Sequence, residues 1–338
     1  MIHSVPVAME PTLLPAAPPR LVHERGVPAF GMYRGIVPQL CWRSLPLPLL
    51  SRLTRKLHHK RWQYAAFAHD DFLIGVAVVD VGWAGSAFAY LFDRRQQCLL
   101  AEVDFTGAPL LHCRVDNQAF GDATFRRGSD CIAFRHAGTR LELTINTRPL
   151  QLAAHITLPA ANSVLAAIAP ANWQAHATHK SGALTCSGYA ECNGRRLPLD
   201  ACHTSLDASN GLLARDTSWR WASAHAGPLG FNLQAGYMGD AENAVWLEGV
   251  PWRVGAAQFE FDAAKPLAPW HIHTDDGCVA LTFTPEGARH GDKNLLLASS
   301  RYVQPVGRFD GHLVHPSSGV VYPVQALAGV TEDHHSRW

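Results

Sequence analysis

The chain has 338 residues, 47% of them hydrophobic and 17% charged, which is enough apolar material to fill the cores of two domains. Its 29 lysines and arginines balance 28 acidic residues, so there is no basic field to attract nucleic acid and no acidic tail. No stretch approaches the ~20 uncharged apolar residues of a membrane-spanning helix.

At the amino terminus Pro6, Pro11, Pro15, Pro18 and Pro19, together with Glu10, interrupt every apolar run. This predicts an extended arm in place of a signal peptide. The eight cysteines are scattered without a Cys-x-x-Cys pair, the pattern of buried thiols in a reducing compartment, so the expected location is the cytoplasm. Cys186, Cys192, Cys202 and His203 lie close in sequence but match no zinc-ligand spacing.

Leu49, Leu50, Leu53 and Leu57 recur at helical spacing, with Arg52, Arg55, Lys56, Lys60 and Arg61 between them. This predicts an amphipathic helix over 49–61. Such a helix covers one end of a β domain with its basic face in water, or else makes peripheral contact with an anionic membrane.

From Trp62 onward the period changes to two, which sends successive side chains to opposite faces of a strand. Leu141, Leu143 and Ile145 alternate with polar residues, as do Phe231, Leu233 and Ala235, then Phe259 and Phe261, then Val279, Leu281 and Phe283. Asn193-Gly194, Asp276-Gly277 and Asp310-Gly311 read as hairpin turns. Short strands joined by tight turns predict an all-β, antiparallel protein, and a barrel is the economical way to remove its edges. Helical periodicity is nearly absent after residue 62, which argues against βαβ architectures. The predicted organisation is an arm and helix over 1–61 and two β domains over 62–200 and 201–338, with the junction in the turn-rich stretch from Arg195 to Gly211.

Gly-x-Ser-x-Gly, the Walker A loop, Gly-x-Gly-x-x-Gly and His-Glu-x-x-His are all missing. Hydrolase, nucleotide-binding and zincin readings lose their usual support, and no cofactor is expected. His271 and His273 share a strand face near Asp275, an arrangement with metal-ligand character. A polar strand face running into the Asp275-Asp276-Gly277 turn explains them as well, so no metal is expected.

The most suggestive segment runs from Asp207 through Ala208-Ser209-Asn210-Gly211 to Asp216-Thr217-Ser218-Trp219-Arg220-Trp221. It combines carboxylates, a predicted glycine turn and two tryptophans on one face of a strand, with Arg220 on the other. With Gly230–Gly236, Glu242–Gly249 and the terminal Gly329–Trp338, it resembles the bacterial family called domain of unknown function 2804, from about Gly26 to the carboxyl end. That family is distantly similar to the lipocalin-like carotenoid hydratases and tocopherol cyclases. The resemblance implies a tandem pair of calycin-type, lipocalin-like β barrels. It also places Asp207 on the acidic aspartate of the hydratases, Gly211 on the glycine of their motif, and Trp219 and Trp221 on the strand that follows. The histidines and tyrosine around that aspartate are replaced here by Ser205, Leu206 and Ala208.

An aspartic acid against an apolar wall stays protonated at neutral pH and can protonate a double bond. Tryptophan faces then stabilise the carbocation, by roughly 0.5–2 kcal/mol each. Asp207 and Asp216 are therefore the candidate catalytic residues, and Trp173, Trp219, Trp221, Asn232 and Trp246 the candidate substrate-binding ones. The expected partner is an apolar, isoprenoid or lipid-like small molecule, which the protein hydrates, cyclises or isomerises. The alternative is a non-catalytic hydrophobic-ligand carrier, in which Asp207 serves turn chemistry and the tryptophans are core.

Overall fold

A computed structural model describes residues 13–46, 54–171, 174–294 and 298–338. The fold is all-β, and every pairing between its strands is antiparallel. One sheet has eight strands, in the order Gly31–Arg34, Leu165–Ala171, Gln174–Leu184, His203–Leu212, His59–Ala68, Phe72–Asp80, Gly85–Asp93 and Cys98–Gly107. A seven-stranded sheet runs from Arg195–Pro198 to Cys113–Val115. A nine-stranded sheet, built wholly from residues from Asp216 onward, curls round its own core. Among the described residues no helix is long and apolar enough to cross a membrane.

Alternation decides where the cores lie. In the eight-stranded sheet Ala65, Phe67, Ile74, Val76, Val78, Ala87 and Ala89 project to one side. There they meet Phe125, Ile132, Leu143 and Ile145 of the seven-stranded sheet. The opposite side of the same strands, with Tyr64, Ala66, Leu73, Ala77, Tyr90 and Phe92, faces the nine-stranded sheet and contacts Trp221, Val306 and Val330. Phe72–Asp80 is consequently buried along nearly its whole length, and its sequence, FLIGVAVVD, is a continuous apolar run where a half-exposed strand would alternate. The expected half-buried pattern holds at Arg140–Asn146, where Leu141, Leu143 and Ile145 are buried between more exposed neighbours.

Three local expectations are corrected. The amphipathic helix is a single turn, Arg55–His58, with residues 49–53 outside the described part. From His59 the chain is a strand paired with His203–Leu212 and Phe72–Asp80, and this pairing overrides the helical period. Two of the basic positions that were to face water are used internally. Lys60 is buried and donates to the carbonyls of Leu57 and Val81, both at 2.6 Å. Burial pushes its amine down to about 8 against the opposing pull of Asp80. Arg61 pairs with Asp80 at 2.5 Å.

Asp310-Gly311 is a β-bulge inside Ser299–Val314, not a hairpin turn. Gly311 has φ +141° and a Cβ there would collide with the Ala280 carbonyl, while the Asp310 carboxylate accepts the Ala326 amide at 2.8 Å. Asn210-Gly211 is likewise extended and lies within His203–Leu212. The Asn210 side chain ties this strand to the arm, accepting the Trp42 indole N–H at 3.0 Å and donating to the Leu40 carbonyl at 3.3 Å. Asn193-Gly194 and Asp276-Gly277 do form turns, with Asn193, Gly194 and Gly277 at positive φ.

Arg195–Pro198 is an edge strand, and His203–Leu212 pairs inside the eight-stranded sheet. The chain changes sheet at 213–215, immediately before Asp216–Ala226. The Gly31–Arg34 segment of the arm adds an edge strand to the same sheet, and Leu21, Val37, Leu40 and Trp42 join its core.

A glycine makes room for a ring that the eight-stranded sheet turns toward the nine-stranded one. A Cβ on Gly75 would run into the Tyr90 ring, which packs toward Val306 and Val330 of the nine-stranded sheet. Gly75→Ala should therefore cost about 1–3 kcal/mol of unfolding free energy in urea titrations; a change within a few tenths would show that this contact is slack.

Candidate functional site

The second side of the eight-stranded sheet, with its polar and aromatic side chains, meets the nine-stranded sheet across a gap. Together they enclose a cavity of about 260 Å³. Asp207 and Ser209 project into it from a strand whose Leu206, Ala208 and Leu212 point to the opposite core. Lys180 arrives from the neighbouring strand, where it stands directly across from Asp207. Trp219 and Trp221 share the facing wall, as their spacing predicted, and Arg220 lies on the reverse side, 3.5 Å from Asp333.

Lys180 joins two carboxylates. It pairs with Asp207 and lies 3.3 Å from Glu242, all three side chains being less than 15% exposed. The Ser209 hydroxyl lies 3.4 Å from the Asp207 carboxylate and 3.0 Å from the Thr178 hydroxyl. One ammonium faces two carboxyl groups, so the cluster reaches neutrality when one carboxyl keeps a proton. Glu242 is pushed up: burial and the Asp207 charge raise it, and Lys180 opposes them. Burial works against the Lys180 charge, but Asp207 and Glu242 together outweigh it and hold the amine above its ordinary value. Asp207 is thus an ion partner, not a carboxyl alone against an apolar wall.

Aromatic rings complete the walls. Tyr64 meets Trp221 edge-on at 6.0 Å, and the Lys180 ammonium lies 5.8 Å from the Trp221 ring. The Trp221 indole donates to Asn232 at 2.7 Å, and Asn232 in turn donates to the Glu242 carbonyl at 3.0 Å. Asn232 therefore positions both the ring and the backbone that carries the acid. Elsewhere on the wall Arg289 is buried, bonded to Glu102 at 2.7 Å, with Phe88 at 4.1 Å and Tyr302 at 4.8 Å from its guanidinium.

The remaining expected residues are not brought together there. Asp216 is on the surface with its side chain 77% exposed, 3.9 Å from Arg337. Trp246 lies at a different groove, donating to the Ser163 carbonyl at 2.8 Å and packed edge-on against His225. Trp173 falls outside the described residues. Among the described residues no group of three His, Cys, Asp or Glu side chains could hold a metal, and the eight cysteines are free thiols.

Sequence reasoning missed Lys180, Glu242, Glu332, His334, Ser300 and Arg289 as site residues: Glu242, Glu332 and His334 lie in segments quoted there only as family markers, and the others lie outside the segments read for chemistry. Lys180 did carry a signal. It is one of only five lysines and stands in a strand otherwise rich in small residues.

A family model described as domain of unknown function (DUF2804) matches residues 15–338. The chain belongs to that family. No curated protein matches it. Among solved structures it is similar to kievitone hydratase from Nectria haematococca, with 8% identity, a TM-score of 0.53, and coverage of 82% of this chain and 88% of that one. It is also similar to a Nitrosomonas europaea protein provisionally named AttH, at 13% identity and a TM-score of 0.52, covering 81% of this chain and 92% of that one. At these identities the likeness shows a shared lipocalin-like fold.

Burial also sets an acid limit on the site. His176, His179 and His225 are each pushed down to about 3, mainly by desolvation, with Lys180 adding to the effect at His176 and His203 at His225. His176 receives the cavity-lining Tyr237 hydroxyl at 3.0 Å, and His179 accepts the Val37 amide at 3.1 Å. Their folded values lie below the unfolded value, so the unfolded chain binds more protons and stability falls as pH drops from about 6.5 toward 3. The limiting slope is about 1.4 kcal/mol per pH unit for each histidine. Calorimetry at pH 7, 6 and 5 should show a falling Tm; a constant Tm would mean that these rings take up protons without unfolding.

Proposed function

We propose that the protein binds an unsaturated, largely apolar small molecule of isoprenoid or lipid-like type between its two β units and performs acid chemistry at a double bond, with Glu242 as the acid. The observation that carries this reading is the buried Asp207–Lys180–Glu242 cluster, in which one ammonium faces two carboxyl groups beside aromatic walls. The Glu242 proton adds to one alkene carbon, and the tryptophan and tyrosine faces stabilise the cation. Water then adds to give an alcohol, an internal nucleophile gives a ring, or loss of a neighbouring proton moves the double bond. In each case the released proton returns to the carboxylate. The resemblance to a hydratase in fold supports a hydration step. Asp207 acts by its charge: it keeps Glu242 protonated and Lys180 charged.

Mass spectrometry of solvent extracts would identify a molecule retained by the purified protein, and turnover would be followed as deuterium incorporation into it in D₂O. Glu242→Gln should retain the molecule and lose exchange by about 10²–10⁴-fold. Undiminished exchange in that variant would remove Glu242 as the acid, and no exchange in the wild type would leave the non-catalytic carrier as the reading.

Asp207→Asn has a distinct signature. Removing the charge that raises Glu242 leaves one carboxylate for one ammonium, so the Glu242 value drops. The alkaline limb of the pH–rate profile should then move to lower pH, whereas an Asp207 that is itself the acid would abolish the rate at every pH.

A further inference from the structure

A second group on the cavity wall has a different order of residues. Glu332, His334 and Ser336 occupy alternate positions of Val321–Arg337, so they share one face of the strand. In the neighbouring strand Ser300 stands across from Ser336 and Tyr302 across from His334, which places Ser300 diagonal to the imidazole. His334 Nδ1 lies 2.9 Å from Glu332 Oε1. Its Nε2 lies 3.0 Å from the Ser300 hydroxyl and 2.8 Å from that of Ser336.

The carboxylate sets the tautomer. Burial works against the Glu332 charge, but His334, Trp219 and Gln304 together outweigh it and hold the carboxyl below its ordinary value. Trp219 donates to it at 3.0 Å and Gln304 at 2.6 Å. An ionised carboxylate only accepts, so Nδ1 carries the proton and Nε2 presents a lone pair to the serine hydroxyls. Ser300 and His334 line the cavity, whereas Ser336 is 5% exposed and does not. Ser300 is therefore the hydroxyl that a bound molecule meets.

We propose that Ser300, His334 and Glu332 form a nucleophile relay, giving the cavity an acyl-transfer activity that hydrolyses small esters of aromatic alcohols. The ordering of carboxylate, imidazole and hydroxyl is recognised by geometry, and it arises here on two antiparallel strands without a nucleophile-elbow motif. The Ser300 oxygen bonds to the acyl carbon while its proton passes to His334 Nε2. The ester C–O bond breaks, and the alcohol leaves with that proton. Water then attacks the acyl carbon and gives its proton to His334. The bond to Ser300 breaks, the carboxylic acid departs, and Ser300 recovers the proton. The substrate class follows from the rings beside the imidazole: Trp219 at 4.0 Å and Tyr302 at 5.4 Å favour a flat aromatic leaving group. Arg289, over the Tyr302 ring, puts a fixed positive charge on the same wall. This activity goes beyond the double-bond chemistry and uses none of the Lys180 cluster.

The test treats the purified full chain with a fluorophosphonate, which bonds to an activated serine with loss of fluoride, and follows p-nitrophenyl acetate hydrolysis in parallel. Peptide mapping should find the adduct on Ser300, and Ser300→Ala should lose both adduct and ester turnover. His334→Ala should slow labelling by about 100-fold or more, and Glu332→Gln by about tenfold or more. Circular dichroism shows whether each variant is folded; if His334→Ala is not, Glu332→Gln decides. No adduct on Ser300 in the wild type, or labelling at the wild-type rate in the deciding variant, would overturn the relay.

Discussion

The structure depends on one sheet being buried on both faces. The inner strands of the eight-stranded sheet, from Gln174–Leu184 to Gly85–Asp93, give one set of alternate side chains to the core shared with the seven-stranded sheet and the other set to the interface with the nine-stranded sheet. A two-sided antiparallel sheet has no water face, so whatever polar residues it carries on the second side must be satisfied by protein. Asp207, Ser209, Thr178 and Lys180 are placed in that position, and their partners are each other and Glu242. The cavity thus follows from covering a mixed polar and aromatic sheet face with a second curved sheet.

Charge counting explains why such a face is chemically poised. A buried pair of opposite charges is at best neutral for stability, and an odd carboxylate beside it is costly unless protonated. The Lys180 cluster resolves this by raising Glu242, whereas Glu332 faces the same burial and resolves it with donors from His334, Trp219 and Gln304. Two buried glutamates in one cavity are therefore pushed in opposite directions, one toward holding a proton and the other toward holding a charge. That separation equips a site for both acid and base roles.

The segment from Asp207 to Trp221 was legible as the chemically interesting one, and Asp207, Trp219 and Trp221 do share the cavity. Its local structure was less legible. Asn210-Gly211 has the composition of a turn, yet it continues a strand because Asn210 finds partners in Trp42 and Leu40, far away in sequence. Asp310-Gly311 became a bulge for a similar reason: a paired strand lies on each side of it. Residues 59–61 carry a helical period, but pairing with His203–Leu212 and Phe72–Asp80 satisfies their backbone and buries Lys60. Glu242 and Lys180, 62 positions apart, had no local pattern to connect them.

By itself the sequence determined the all-β class, the antiparallel pairing and the core-facing residues of strands such as Arg140–Asn146, because these rest on periods of two and on turn chemistry, which are local; the family was legible through the resemblance of its segments. Only the tertiary structure decided which strands stack against which, where the chain changes sheet, and which charged groups meet. Those outcomes depend on contacts between residues distant in sequence, and burial then shifts Glu242 up and the three buried histidines down, while hydrogen-bond donors hold Glu332 down against its burial. A carboxylate's role depends on the ammonium or imidazole beside it, and alternation along a single strand carries no record of that neighbour.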